Sequence, residues 1–256
     1  MTKKATRIVL FLQTVLLILS LQFRGYASAE VVSLTPTDDA YVSSLYPYVN
    51  RGSDTKLILA CYQDFSGGYA LDVNIRVYVK FDLSNIPFDA EVVSAKLELY
   101  AIRVEMPKEI SAWPCPDSWN EREITYSKAP KYTGRYPGGA IRTYVNAADA
   151  WYSWDITSDV TNARGGHLSE VLEMNALIWT ERSPNHISFY SKEASDSLYR
   201  PRLTVNYSKP IAGSFIACHV GARTIQLGEK LEITGAIAPA HSGALVTITY
   251  KSADGS

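Results

Sequence analysis

The run from Asn74 to Asp82 alternates without a break, with Ile75, Val77, Val79 and Phe81 on one side and Arg76, Tyr78, Lys80 and Asp82 on the other. A period of two marks a β-strand with one buried face, because helical geometry would scatter the same residues around its circumference. The stretch from Val92 to Val104 repeats the pattern, setting Val93, Ala95, Leu97, Leu99 and Ala101 against Ser94, Lys96, Glu98 and Tyr100. Further strands are expected at Val31 to Leu34, Lys56 to Cys61, Asn175 to Thr180, His186 to Ser191 and Arg202 to Tyr207. One short helix is expected from Ile156 to Ala163, capped by Thr157 or Ser158. Many short strands joined by Gly, Pro, Asn and Asp turns imply an all-β chain, folded as an antiparallel, jelly-roll-like β-sandwich. A content of 46% hydrophobic and 20% charged residues supports a packed core and excludes a disordered or collagen-like chain. The 17 tyrosines suit such sheets, since the ring packs while the hydroxyl stays wet.

The N-terminus indicates the compartment. Lys3, Lys4 and Arg7 precede an apolar run from Ile8 to Leu21, and Ala27-Ser28-Ala29 places small residues before Glu30. This is the pattern of a cleaved signal peptide over residues 1–29. Gln13, Thr14 and Ser20 leave the run too short for a membrane span. The mature chain is therefore expected to be secreted or at the cell surface, with no membrane insertion. Of the 25 Lys and Arg residues, Lys3, Lys4, Arg7 and Arg24 belong to the leader, so 21 bases face 26 acids and the mature net charge is −5. That sign disfavours nucleic acid as a partner. Cys61 and Cys115 fall in one candidate domain, where a disulfide between them is geometrically open, and Cys218 lies apart. No cysteine or histidine spacing suits zinc.

The texture changes after Tyr207. A sandwich over residues 30–208 is followed by a linker at 209–213 and a second β-segment over 214–256, with shorter strands at Ser214 to Val220, Arg223 to Gly228, Lys230 to Gly235 and Ala244 to Tyr250. Thr224 to Gly235 together with Ser242 to Tyr250 resembles the opening strands of an Ig-like domain, of which it would supply about half of the usual ~100 residues.

Across the first domain, an ordered set of short elements carries a closer likeness. It comprises Asp39-Ala40-Tyr41-Val42, Asn50-Arg51-Gly52, Arg76 to Ser84, Ala95-Lys96-Leu97, Trp119-Asn120-Glu121, Ile124-Thr125-Tyr126, Trp154-Asp155-Ile156-Thr157, Ser191-Lys192-Glu193 and Arg200-Pro201-Arg202-Leu203. Together they resemble the DNRLRE domain, the disaggregatase-related sandwich also classed as carbohydrate-binding module family 96. Two positions depart from the family pattern: Lys192 stands where Arg is more usual, and Ile156 where Val is. The resemblance implies a non-catalytic module on exported proteins, some of whose relatives bind acidic polysaccharides such as alginate.

The residues offer a sugar site of their own. Arg76, Tyr78 and Lys80 share the non-core face of one strand, Lys96 and Tyr100 that of the next, and Tyr190 and Lys192 that of a later one. Tyrosine rings stack on sugar C–H groups, and Arg and Lys pair with uronate carboxylates. The competing account is a solvated sheet face with Arg76 buried against a carboxylate. A second basic and aromatic group, Tyr41, Tyr46, Tyr48, Arg51 and Tyr62, lies in or near a loop, where Tyr46-Pro47-Tyr48 can equally pack a turn. Trp119, Trp154 and Trp179 are expected in the core, and Trp113 and Trp151 at the surface.

No cofactor is required by this reading. A structural calcium is the one inorganic partner considered, with Asp38, Asp39 and Asn50 as its candidate ligands, although no EF-hand loop is present and Asx residues also initiate turns. Catalysis finds little support: His167, His186, His219 and His241 have no metal or triad spacing, and Glu121 in Trp119-Asn120-Glu121 is better suited to tying down a loop. The remaining class is a structural or adhesive surface module whose partners are other surface proteins.

Overall fold

The computed structural model describes residues 26–65, 67–132, 139–174, 185–210, 215–220 and 233–238. The strand expected at Asn175 to Thr180, Trp179 with it, the strands expected at Arg223 to Gly228 and Ala244 to Tyr250, and most of the leader lie outside the described residues. Tyr26–Pro210 forms one compact unit.

The chain is all-β. In order it forms β1 Tyr26–Leu34, β2 Asp38–Ser43, β3 Lys56–Asp64, β4 Leu71–Asp82, β5 Glu91–Val104, β6 Lys108–Pro114, β7 Ile141–Val145, β8 Ala150–Asp155, α1 Thr157–Ala163, β9 His167–Met174, β10 Ile187–Tyr190 and β11 Arg202–Pro210. Every pairing is antiparallel. One layer runs β1-β11-β5-β10, with β8 also paired to β5, and the other runs β3-β4-β9-β6-β7, with β2 on β4. β3 joins them, because Lys56–Leu59 pairs with β10 and Ala60–Asp64 with β4. The sheet thereby curls into a sandwich without a break in its ladder.

Alternation explains the core. Ile75, Val77, Val79 and Phe81 of β4 face Ala95, Leu97, Leu99 and Ala101 of β5, and Trp154, Phe189, Leu203 and Val205 complete the same cluster. Trp154 is fully buried, and its indole N–H donates to the Ile110 carbonyl at 2.9 Å, so the one polar atom of a large side chain is satisfied. β1 runs through the expected cleavage position. Glu30 accepts from the Tyr207 hydroxyl at 3.0 Å and pairs with Lys209 at 2.7 Å, fixing the strand to β11.

Three expectations change. The helix is capped by neither Thr157 nor Ser158: Ile156 is its N-cap, and Thr157 Oγ1 instead accepts from the Ala95 amide at 2.9 Å. The disulfide left open between Cys61 and Cys115 is not formed: Cys61 packs on the margin of the main core and Cys115 on that of a second cluster. The Cys115 sulfur lies 3.3 Å from Ser169 Oγ, and burial pushes its half-buried thiol up to about 12, away from the thiolate that reacts. Trp113, expected at the surface, is half-buried and stacks on Tyr132 at 5.1 Å.

Beyond the compact unit, β12 Phe215–Val220 pairs with β13 Ile233–Ala238 in a two-stranded antiparallel sheet.

A fragment spanning residues 26–210 is expected to melt in one cooperative transition, followed by circular dichroism at two wavelengths, because its core cluster closes on itself. Within it, Trp154→Ala should lower stability by about 3–5 kcal/mol.

Candidate functional site

The face of β4 bearing Arg76, Tyr78 and Lys80 is not open. Ala40 and Val42 of β2 and Val171 of β9 lie beside Tyr78, and Trp119 and Ile124 close over them to form a second apolar cluster. Tyr78 is 1% exposed, its hydroxyl donating to the Pro130 carbonyl at 3.0 Å and its ring meeting Trp119 edge-on at 5.8 Å. Burial drives its phenol well above the ordinary tyrosine range.

Lys80 is 8% exposed. Its ammonium pairs with Asp38 at 3.3 Å, donates to the carbonyls of Asp117 and Trp119, and lies 4.8 Å from the Trp119 ring centre. Every requirement of a buried cation is met internally, so Lys80 holds a loop rather than a sugar. Arg76 pairs with Glu173 at 3.2 Å and sits over Tyr132 at 5.8 Å, the carboxylate-bound arrangement.

The covering loop is itself clamped. The Asn50 amide donates to the Glu121 carbonyl at 2.6 Å and the Ile124 carbonyl at 2.7 Å, and its oxygen accepts from the Gly52 amide at 3.3 Å. A Cβ on Gly52 would overlap the Glu121 carbonyl, so glycine is required there by close approach. Asp38 accepts from the Glu121 amide at 3.1 Å. Asp38 and Asn50 are thus committed to the loop and do not converge with Asp39 as an ion's ligands. Asp39 instead meets Glu121 and Glu193, the three offering carboxylate oxygens within 4.8 Å of one another. Burial pushes the Asp39 carboxyl up to about 8; the Lys192 amide opposes this and the Glu193 carboxylate adds to it. Lys192 turns inward to the same cluster, 2.8 Å from Glu121 and 2.6 Å from Glu193, and so leaves the face expected for it beside Tyr190. Burial pulls its ammonium down, but the two carboxylates outweigh that and raise it above the ordinary lysine range.

The loop residues divide. Tyr48 is 83% exposed, whereas Arg51 lies 3.7 Å from Asp54 and 6.0 Å from the ring centre of buried Tyr41. Tyr62 is half-buried against the His186 ring.

The other layer presents a different outer face. Tyr100 of β5 is flanked by Trp151 of β8 at 5.5 Å, Tyr190 of β10 at 6.2 Å and Tyr199 at 4.5 Å, and Tyr190 stacks with Tyr199 at 5.7 Å. Tyr199 ends a short 3-10 turn, Ser197–Tyr199, that leads into β11. Arg202 lies over Trp151 at 4.1 Å and donates to both oxygens of Glu98 at 3.1 and 3.3 Å, and Thr204 donates to Glu98 at 2.6 Å. Burial pushes the Glu98 carboxyl up, but the hydrogen bonds from Arg202 and Thr204 outweigh it and hold the group below its ordinary value. Register places Lys96 and Lys56 on the same face, since Thr204 stands across from Lys96 and Tyr190 across from Lys56. Both lysines are exposed, and neither is in an ion pair among the described residues.

Four half-buried rings, three from strands and Tyr199 from the turn before β11, gather on this face with a fixed guanidinium; their planes are inclined to one another by 24° to 78°, and together they make a partly wet aromatic surface, which suits the C–H face of a sugar ring. The pattern of β5 and β10 placed Tyr100, Tyr190 and Lys96 on this face. It did not bring Tyr199 and Arg202 to them. Arg202 nevertheless stands at the first position of its strand, one step before core Leu203, and that alternation was the available signal.

A family model for carbohydrate-binding module family 96 matches residues 30–207. The chain belongs to that family. No curated protein matches it. As a family 96 module it combines a sandwich with two distinct outer faces, one sealed by the Asp117 to Tyr132 segment and one bearing the aromatic surface.

Lys80→Ala should lower stability by about 2–4 kcal/mol in a urea melt, since it leaves Asp38 without its countercharge and the two carbonyls without the ammonium. Gly52→Ala should cost about 1–3 kcal/mol through the clash with Glu121. A Lys80→Ala protein that melts like the parent would show that the loop does not depend on the ammonium.

Proposed function

We propose that this module is non-catalytic and serves an exported protein by holding a polysaccharide chain, preferentially a uronate-bearing one, against the outer face of β5, β8, β10 and β11. The reading rests on one observation: Tyr100, Trp151, Tyr190 and Tyr199 gather on a single rigid sheet face, with Arg202 stacked on the tryptophan. Stacking supplies affinity for a pyranose whatever its charge. The charge preference is carried by Lys56 and Lys96, because the Arg202 guanidinium is already neutralised by Glu98. The three rings held by strands lose little freedom on binding, and that favours recognition of an extended polymer without a closing loop.

Isothermal titration of the full chain against alginate, pectate and a neutral glucan tests this. Trp151→Ala and Tyr100→Ala should each weaken binding to every bound polymer by roughly tenfold, about 1.4 kcal/mol, while leaving the melting curve of the core intact. Lys96→Ala together with Lys56→Ala should weaken only the uronate polymers, and their affinity should fall between low salt and 0.5 M NaCl as screening shortens to a few ångströms, roughly 4–5 Å. Absence of heat with all three polymers would leave a structural or adhesive module as the better account. Equal affinity for neutral and acidic chains would remove the uronate preference and keep the stacking.

A further inference from the structure

Asp39, Glu121 and Glu193 belong to three segments far apart in sequence, yet they bring carboxylate oxygens within 4.8 Å of one another. Lys192 is the ammonium in contact with this group, pairing with Glu121 and Glu193. With all three carboxylates ionised, one ammonium leaves two negative charges unbalanced. Hydrogen bonding does not account for all of the oxygens. Asp39 Oδ2 accepts from the Lys192 amide at 2.7 Å, but Asp39 Oδ1 and Glu193 Oε2 are both shut off from solvent and have no hydrogen-bond partner. Asp39 as a whole is only 1% exposed. Two residues of the cluster thus each keep a buried acceptor without a donor, and buried polar atoms left in that state are costly.

We propose that Asp39, Glu121 and Glu193 bind a divalent cation of calcium type, which bridges the unpartnered oxygens of Asp39 and Glu193. Carboxylate oxygens are hard ligands that suit calcium, and a charge of two closes the local balance. The ion would join the start of β2, the covering loop at Glu121 and the turn after β10. Lys192 is its internal competitor, because the ammonium holds two of the three carboxylates.

The full chain, stripped with chelator and dialysed, is titrated with calcium chloride and separately with magnesium chloride, with binding heat and melting temperature recorded and no polysaccharide present. One saturable calcium site is expected, with a rise of about 5–10 °C in melting temperature when free calcium reaches a hundred times Kd, and a smaller response to magnesium. Glu193→Gln should lose at least tenfold in calcium affinity while retaining its circular dichroism spectrum. Lys192→Met, which removes the competitor, should bind calcium several-fold more tightly, an effect that a purely structural cluster would not produce. No heat and no change in melting with either ion would overturn the proposal and leave a proton shared between Asp39 and Glu193. A calcium response undiminished in both Glu193→Gln and Asp39→Asn would overturn it equally, by placing the ion elsewhere. Because sugar is absent throughout, neither result depends on the polysaccharide reading.

Discussion

The buried ammonium of Lys80 organises the second layer. Strand alternation sends it to the side of β4 opposite the main core, where it would meet water if nothing covered it. Instead the Asp117 to Tyr132 segment folds over it, bringing the carbonyls of Asp117 and Trp119 to the ammonium while Asp38 supplies the countercharge. The apolar residues around it then have something to pack on: Tyr78, Val42 and Val171 bury against Trp119 and Ile124. A polar contact and an apolar cluster hold the same loop from two sides, and the Asn50 amide with the glycine at 52 pins its backbone. The face that alternation alone marks as wet becomes a second core.

That explains what could and could not be read from the residues. The main core was legible, because Val77, Phe81, Leu97 and Leu99 recur every second position and period two has one structural meaning. β2, β6, β7, β8 and β9 were harder, since runs such as Asp38–Ser43 and His167–Met174 show no clean alternation; β2 and β9 flank β4 and are buried on both faces. The fate of Arg76, Tyr78 and Lys80 was not legible at all. Whether the polar side of a strand faces water is decided by a loop about forty residues further along the chain, and no local pattern reports that contact. The amphipathic nature of Tyr and Lys deepens the ambiguity, as both can bury the stem and satisfy the tip.

The site candidates separate on the same ground. Tyr100, Tyr190 and Lys96 stand on the layer that no loop covers among the described residues, and there alternation kept its meaning. They attracted partners that sequence spacing hid: Trp151 arrives from β8, Tyr199 from the turn before β11 and Arg202 from the first position of β11. Asp39 was recognised as a candidate ligand, but its companions were not. Glu121 and Glu193 are 82 and 154 residues away along the chain, so only the folded topology brings them to β2.

Lys192 shows how closely the two outer faces are coupled. It follows Tyr190 by two residues, and a continued strand would have set both on the aromatic side. β10 ends at Tyr190, and buried Ser191 turns the chain: its amide donates to the Thr55 carbonyl at 3.2 Å and its hydroxyl to the Asp54 carbonyl at 2.7 Å. That turn swings Lys192 and Glu193 to Asp39 and Glu121, on the side of the covering loop. A single step of backbone thus separates a ring of the aromatic surface from the acid cluster. The Lys192 amide donates to Asp39 at 2.7 Å and the Ser191 amide to the Thr55 carbonyl, so the chain that leaves β10 is tied down on both sides of that step.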